Sequence, residues 1–150
     1  MSVNMANSNS DNPLIGRKFQ LLVRRVLERT YKEQFEIEPA IAIGSPAKDH
    51  KFDLANEEKS IVAECKCYTW TDSGNVPSAK LMGLDEALFY FSFLPDSTTK
   101  LLCMKKATYS GKQETLAEYY CRVHGHLLKD VHIIEISDDE AMREIYARTM

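Results

Sequence analysis

Near the start of the chain, apolar residues recur every three or four positions and predict a long amphipathic helix. Asn12 suits the N-cap of this helix, and Pro13 suits its first position. The apolar stripe contains Ile15, Phe19, Leu22, Val23, Val26, Leu27 and Thr30. Because this repeat continues to about Gln34, we expect the helix to cover residues 13–34.

Alternating apolar residues and turn residues divide the rest of the chain into further elements. Strands are expected at residues 35–44, with an interruption at Pro39, and at residues 51–55, 60–69, 101–109 and 132–137. Loops are expected at residues 45–50 and 71–77. Helices are expected at residues 78–94 and 113–123, before a final helix that Asp138 or Asp139 would cap. This mixture predicts an α/β domain with a central mixed sheet flanked by helices.

The length of 150 residues suits a single domain. Residues 1–12 are rich in Asn and Ser, so a flexible N-terminal arm is expected ahead of one domain at residues 13–150. This arm lacks the basic and apolar regions of a signal peptide. No apolar run in the sequence is long enough to span a bilayer. We therefore expect a cytoplasmic protein without a membrane partner.

The four cysteines do not follow the spacing of a zinc site. None forms a CxxC pair, and Cys65 and Cys67 share one face of a predicted strand. Reduced thiols in the core are favoured over a metal site for this reason, and the sequence leaves both interpretations open.

The net charge of −3 is not typical of a protein coated with basic residues for nucleic-acid binding. Basic residues are nevertheless concentrated on the first predicted helix, at Arg17, Lys18, Arg24, Arg25, Arg29 and Lys32. They indicate either a local basic surface or the solvated face of a helix.

Charged residues interrupt an otherwise apolar strand at Glu64 and Lys66. Side chains alternate along a strand, so Glu64 and Lys66 share one face of residues 60–69. Asp53 lies in the preceding predicted strand, and a short turn would return the chain antiparallel to it. Asp53 is therefore expected to lie close to Glu64 across the strand pair.

Two carboxylates and one ammonium group have a specific use when they are brought together. Asp53 and Glu64 are hard oxygen ligands of the kind that Mg²⁺ takes together with water and phosphate, and the backbone carbonyl of Cys65 is a further candidate ligand. Lys66 can orient a water molecule or neutralise charge that develops on phosphorus. The simpler alternative is an exposed ion-pair ladder.

The segments Phe52-Asp53 and Glu64-Cys65-Lys66 resemble the PD-(D/E)xK motif of the restriction-endonuclease-like nucleases. This superfamily includes restriction enzymes, Holliday-junction resolvases and Mrr-type enzymes. The resemblance covers residues 13–137 and implies a core of one helix, a three-stranded meander, a second helix and a further strand. It implies an endonuclease that hydrolyses phosphodiester bonds, in DNA by expectation, with Mg²⁺ or substituting Mn²⁺ as its cofactor.

The resemblance also implies which residues act. Asp53 and Glu64 would bind the metal ion, Lys66 would assist the attacking water, and Gln20 would support the site. Many members have Glu in a Gly-x-x-Phe-Glu pattern on the first helix, whereas this chain has Gln20 at that position. The degenerate Pro of the motif is Phe52 here. Because Gln is a weaker metal partner than Glu, this difference argues against a second metal ion.

The sequence also indicates residues that would contact nucleic acid and a helix that would form a dimer interface. Arg17, Arg24 and Lys80 are the candidate DNA-binding residues. Tyr68 and Trp70 are interpreted either as stacking platforms for a base or as aromatic cover for the core. The helix at residues 78–94 has a wide apolar surface, which indicates either a deeply buried helix or a partner interface. It is the candidate interface of an expected homodimer.

The main alternative is a nucleic-acid-binding or assembly module that has this fold but no catalytic activity. The Gln20 substitution and the acidic net charge favour it. A third interpretation is an α/β domain in which the motif is a coincidence.

Overall fold

A mixed sheet of six strands forms the centre of the computed structural model, which describes residues 13–146. The helices are α1 (Pro13–Tyr31), α2 (Ser78–Phe91) and α3 (Leu116–His124), followed by a 3-10 helix at Gly125–Leu127. The strands are β1 (Phe35–Ile37), β2 (Ala40–Ile43), β3 (Lys48–Lys51), β4 (Leu54–Asn56), β5 (Ile61–Lys66), β6 (Thr99–Lys105), β7 (Val131–Ile136) and β8 (Met142–Tyr146). The predicted arm at residues 1–12 lies outside the described residues.

The sheet has the strand order β1-β4-β5-β6-β7-β8. Strands β1, β4 and β5 are antiparallel neighbours. Strands β5, β6 and β7 run parallel to one another, and β8 returns antiparallel to β7. Strands β2 and β3 form a separate hairpin. The prediction of an α/β domain with a mixed sheet between helices is thus confirmed.

Helices cover both faces of the sheet and create two hydrophobic layers. On one face α1 buries Phe19, Val23, Val26 and Leu27 against Leu54, Ala63 and Leu101. On the other face α2 and α3 bury Leu84, Phe91, Leu116 and Tyr120 against Val62, Leu102 and Met104. Full burial of one such large side chain contributes about 1.5–3 kcal/mol. Val62 and Ala63 are neighbours in β5 and point to opposite faces of the sheet. Val62 therefore packs in the layer of α2 and α3, and Ala63 packs in the layer of α1.

The predicted strand at residues 35–44 is two strands in the structure. Glu38 has a positive φ of 54° and precedes Pro39, and together they end β1 and redirect the chain. Residues 45–50 were expected to be a loop, but β3 begins at Lys48 and pairs with β2. This part of the prediction was wrong because the hairpin lies outside the main sheet.

The predicted final helix was also wrong, since the chain forms β8 at the edge of the sheet. The Asp139 carboxylate accepts hydrogen bonds from the Ser137 hydroxyl (2.6 Å) and from the Ala141 backbone N–H (3.2 Å). These bonds stabilise a turn instead of a helix N-terminus. Asp and Ser are favoured in both settings, so the local sequence did not distinguish them.

The four cysteines, Cys65, Cys67, Cys103 and Cys121, are free thiols, and all except the half-buried Cys65 are buried. Within residues 13–146, no helix is long and apolar enough to cross a membrane.

Candidate active site

Asp53 and Glu64 meet where β4 pairs with β5. Leu54 lies opposite Ala63 in this antiparallel pair, so the preceding Asp53 comes next to Glu64. The Asp53 backbone N–H donates to Glu64 Oε2 (3.0 Å), and the Cys65 backbone N–H donates to Asp53 Oδ2 (2.7 Å). Each carboxylate is thus bound by the backbone of the segment that carries the other one. The backbone fixes both groups without using their second oxygens, Asp53 Oδ1 and Glu64 Oε1, in these two bonds.

Burial makes this pair of negative charges unfavourable. Only 8% of Glu64 is exposed. Burial raises the pKa of Glu64, and repulsion from the Asp53 carboxylate raises it further. Burial also raises the pKa of Asp53, while the Cys65 N–H and the Lys66 ammonium oppose that shift. A cation beside both carboxylates would therefore stabilise their ionised forms.

Lys66 ends β5 on the same face as Glu64. Its ammonium group lowers the pKa of both carboxylates, which places it within electrostatic range of each. The α2 backbone passes closely at Gly83, where an added Cβ would lie 3.9 Å from Lys66 Nζ and 2.6 Å from the Tyr68 hydroxyl. Glycine at this position therefore leaves room for both side chains between β5 and α2.

Gln20 contacts the site through the backbone of Asp53. Its side-chain amide Nε2 donates to the Asp53 carbonyl oxygen (2.9 Å), which also accepts the Glu38 backbone N–H (3.0 Å). Gln20 is buried, with 7% of it exposed. Gln20 therefore positions the Asp53 backbone, and its amide nitrogen is used in the bond to the Asp53 carbonyl oxygen.

A cleft of about 310 Å³ connects the start of α1 with Asp53. It is lined by Pro13, Gly16, Arg17, Gln20, Glu38, Asp53 and Cys65. Arg17, Gln20 and Asp53, which are predicted site residues, therefore line one cleft. Cys65, whose backbone carbonyl is the additional candidate ligand, lines it as well.

No protein-family model, curated protein or solved structure matches this chain.

Metal-binding side chains are sparse. In the described part of the chain, three or more His, Cys, Asp and Glu side chains are nowhere grouped to hold a metal ion. The Asp53 and Glu64 pair is smaller than such a group. Mg²⁺ nevertheless commonly uses only one or two protein carboxylates, together with water and substrate phosphate.

The three predicted nucleic-acid-binding residues lie in different places. Arg17 lines the cleft and forms an ion pair with Glu38 (3.3 Å). Arg24 lies two turns, or about 10 Å, further along α1, where it pairs with Glu28 (3.3 Å) and lines a separate hollow. Lys80 lies in the first turn of α2 and does not line the cleft around Asp53. Of the three, only Arg17 borders the candidate site.

Sequence reasoning missed two titratable neighbours of the site, His50 and Glu86. The His50 ring stacks on Tyr90 (3.7 Å between centroids) and meets the edge of Phe52 (4.7 Å). Burial lowers the pKa of His50, whereas the Glu86 and Asp53 carboxylates oppose that change. Glu86 on α2 also raises the pKa of Glu64. His50 can be placed near the site only when the register of the β2–β3 hairpin is known, and the sequence pattern does not give that register.

Proposed function

We propose that this protein is a Mg²⁺-dependent endonuclease of the restriction-endonuclease-like type, which hydrolyses phosphodiester bonds in DNA. The observation that supports this most is the pair of hydrogen bonds that join the Asp53 N–H to the Glu64 carboxylate and the Cys65 N–H to the Asp53 carboxylate. Lys66 lies on the same face of β5 as Glu64. One helix precedes the three antiparallel strands β1, β4 and β5 of the main sheet, and another helix follows them, as in the core of that superfamily. The β2–β3 hairpin is inserted between β1 and β4.

The residues present fit a magnesium ion. Asp53 and Glu64 supply hard oxygen ligands in a partly buried setting where their charges require compensation. The Cys65 backbone carbonyl lies between Glu64 and Lys66 in sequence and completes the candidate ligand set. When bound, Mg²⁺ polarises a phosphoryl oxygen and lowers the pKa of a coordinated water molecule. Mn²⁺ accepts the same carboxylate and carbonyl ligands.

The side chains of this protein perform the remaining tasks. The Lys66 ammonium orients the attacking water and stabilises the negative charge that develops on the phosphoryl oxygens. Gln20 holds the Asp53 backbone, so that its carboxylate keeps one orientation. Water forms a new P–O bond as the bond to the departing oxygen breaks, and that oxygen takes up a proton.

Incubation with DNA of different forms tests this function. Supercoiled, linear, branched and single-stranded DNA are each exposed to the protein with Mg²⁺, Mn²⁺ or EDTA. We expect at least one form to be cleaved with either metal ion and none with EDTA. Absence of cleavage on every form would contradict the proposal.

A nucleic-acid-binding or assembly module without catalysis is the second candidate. It is favoured by Gln20, which bonds the Asp53 carbonyl instead of supplying a third acidic group. Calorimetric titration with Mn²⁺ separates the two candidates, because a nuclease site requires ion binding that depends on Asp53 and Glu64.

We also propose that two copies associate through the outer face of α2. Large apolar side chains are exposed on this face, with 70% of Met82 and 61% of Phe89 accessible, and 45% of Phe93 is exposed just beyond the end of the helix. Phe89 and Phe93 contact each other edge to face (5.1 Å between centroids) and form one continuous surface. A second copy is the occupant that fits an enzyme cutting both strands of DNA, because each copy supplies one active site.

A further inference from the structure

A groove of about 440 Å³ lies between the loop that follows β5 and the segment that leads into α3. Its lining includes Trp70, Lys112, Glu114, Tyr119 and Arg122, and we call it the Trp70 groove. The volume lies within the range of about 300–1,000 Å³ that is common for small-ligand sites.

Aromatic rings in this groove are each accompanied by a cation. Lys112 Nζ lies 4.6 Å from the centre of the Trp70 ring, and Arg122 Cζ lies 5.3 Å from the centre of the Tyr119 ring. The two rings are 6.0 Å apart at an angle of 65°. Aromatic rings stack on bases and cations meet phosphates, so this combination suits a nucleotide.

The groove is also held in shape before any ligand binds. The Trp70 indole N–H donates to the Ala107 carbonyl oxygen (3.1 Å), and Trp70 is 4% exposed. Trp70 is therefore the fixed floor of the groove, and the half-buried Tyr119 is its wall. Glu114 holds the Arg122 guanidinium through two hydrogen bonds (3.1 and 2.6 Å). With Lys112 added, these three charged side chains have a net charge of +1.

Chain direction places the groove near the candidate active site. Trp70 follows Lys66 by four residues, so their Cα atoms are at most about 14 Å apart. Strands β5 and β6 are parallel, and the segments that line the groove follow the carboxyl ends of these strands. Trp70 packs in the same hydrophobic layer as Phe52 and Val62. The groove and Lys66 thus lie at one edge and on one face of the sheet.

We propose that the Trp70 groove binds one unpaired nucleotide of the strand that is cut at Asp53, Glu64 and Lys66. This inference rests on the proposed function and specifies its substrate: DNA with unpaired nucleotides beside the scissile phosphate, as in a flap or a branch. A base inside a duplex has both faces stacked on neighbours, so only an unpaired base can stack on Tyr119. Lys112 contacts the phosphate of that nucleotide.

Tryptophan fluorescence tests this site directly, because Trp70 is the only tryptophan of the chain. The protein in EDTA is titrated with a single-stranded oligonucleotide, a blunt duplex of the same sequence, the duplex with a single-stranded flap, and inorganic phosphate. We expect saturable quenching by the single strand and the flap, and none by the blunt duplex or by phosphate. Equal quenching by the blunt duplex would overturn the proposal.

Matched variants identify the contacts, with affinity measured by the anisotropy of a labelled single strand. Tyr119→Leu should weaken binding about tenfold or more, and Tyr119→Phe, which retains the ring, should bind like the parent. Lys112→Ala should reduce the slope of log affinity against log salt by about one. Lys129→Ala is the control, because that lysine lines a different hollow. Unchanged affinity in Tyr119→Leu and Lys112→Ala would overturn the proposal.

Failure of the groove can be distinguished from failure of the nuclease. In one outcome, the parent cleaves DNA and Lys66→Ala does not, while the groove variants bind and cleave flap DNA like the parent. This result would reject nucleotide binding in the Trp70 groove and support the nuclease. If no DNA is cleaved but strand binding still depends on Tyr119 and Lys112, the groove is supported and the nuclease is wrong.

Discussion

At Glu64, burial opposes the charged form of the side chain. It is almost fully buried beside Asp53, and only Lys66 among the groups that shift its pKa electrostatically favours its charge. One of its carboxylate oxygens accepts the Asp53 N–H. A glutamine at this position would keep the acceptor and remove the charge, so the requirement for a carboxylate can be tested separately from the requirement for folding.

We predict that Glu64→Gln abolishes detectable Mn²⁺ binding and leaves the metal-free protein at least as stable as the parent. The amide oxygen still accepts the Asp53 N–H, and a buried carboxylate is no longer desolvated. Calorimetric titration with Mn²⁺ and thermal unfolding in EDTA measure the two effects. Glu57→Gln, at an exposed turn position, is the matched control. Parent-like Mn²⁺ affinity in Glu64→Gln would remove Glu64 from the ligand set.

The sequence predicted that Asp53 would lie close to Glu64 better than it predicted the contacts of Gln20. Strand parity was sufficient to place Glu64 and Lys66 on one face, because alternation is a local property of a strand. Gln20 was expected to support the site, but its contact with the Asp53 carbonyl depends on how α1 packs on the sheet. That packing involves residues more than thirty positions apart, which local patterns do not report.

The turn between β4 and β5 determines whether Asp53 reaches Glu64. Asn56 is fully buried at this turn, and its Oδ1 accepts the backbone N–H groups of Ser60 (2.9 Å) and Ile61 (3.0 Å). Its Nδ2 donates to Glu33 (3.0 Å) and so connects the turn to the segment that follows α1. One asparagine thus fixes the strand register on which the site depends.

We predict that Asn56→Ala destabilises the protein by about 2 kcal/mol, because two backbone N–H groups lose their acceptor in a partly buried turn. Mn²⁺ affinity should fall as well, since the register of Asp53 against Glu64 loosens. Urea unfolding and calorimetric titration measure these two changes. Asn75→Ala, in an exposed loop, is the control. A stability loss without any change in Mn²⁺ affinity would contradict the link between the turn and the site.

Elements at the end of the chain were the least predictable from sequence. The turn that ends at Ala141 places Glu140 against Arg25 (3.2 Å) and Arg29 (2.9 Å) of α1. Residues 142–146 then become a strand because the edge of β7 offers hydrogen-bonding partners. The two arginines expected to belong to a basic surface are consequently occupied within the chain. Both outcomes depend on contacts that are distant in sequence.

At the scale of the whole molecule, the outer face of α2 has apolar side chains that packing on the sheet does not bury. The predicted width of its apolar face is real, but only Leu81, Leu84, Ala87 and Phe91 are buried on the sheet. Phe89 on α2 and Phe93, just beyond the end of the helix, are exposed instead of packed on the sheet. Large exposed apolar patches of this kind are typical of interfaces between proteins.

We predict that the parent protein is a dimer and that Phe89→Glu shifts it to a monomer with its fold intact. The new charge would be desolvated and unpaired in the interface, whereas it remains hydrated on the surface of one copy. Sedimentation velocity over a range of concentrations measures the change. Val123→Glu, an exposed apolar position on α3, is the control. A parent protein that stays monomeric at high concentration would contradict this assembly.

Cleavage of branched and supercoiled DNA by the Lys66→Ala variant, with Mg²⁺, tests the central claim most directly. The Lys66 ammonium meets charge that develops in the transition state, so its loss should reduce turnover about a hundredfold or more. Mn²⁺ affinity and the circular dichroism spectrum should match those of the parent, because Asp53, Glu64 and the strand pair are unchanged. Lys129→Ala should cleave like the parent. Parent-like cleavage by Lys66→Ala would contradict a nuclease site at these residues.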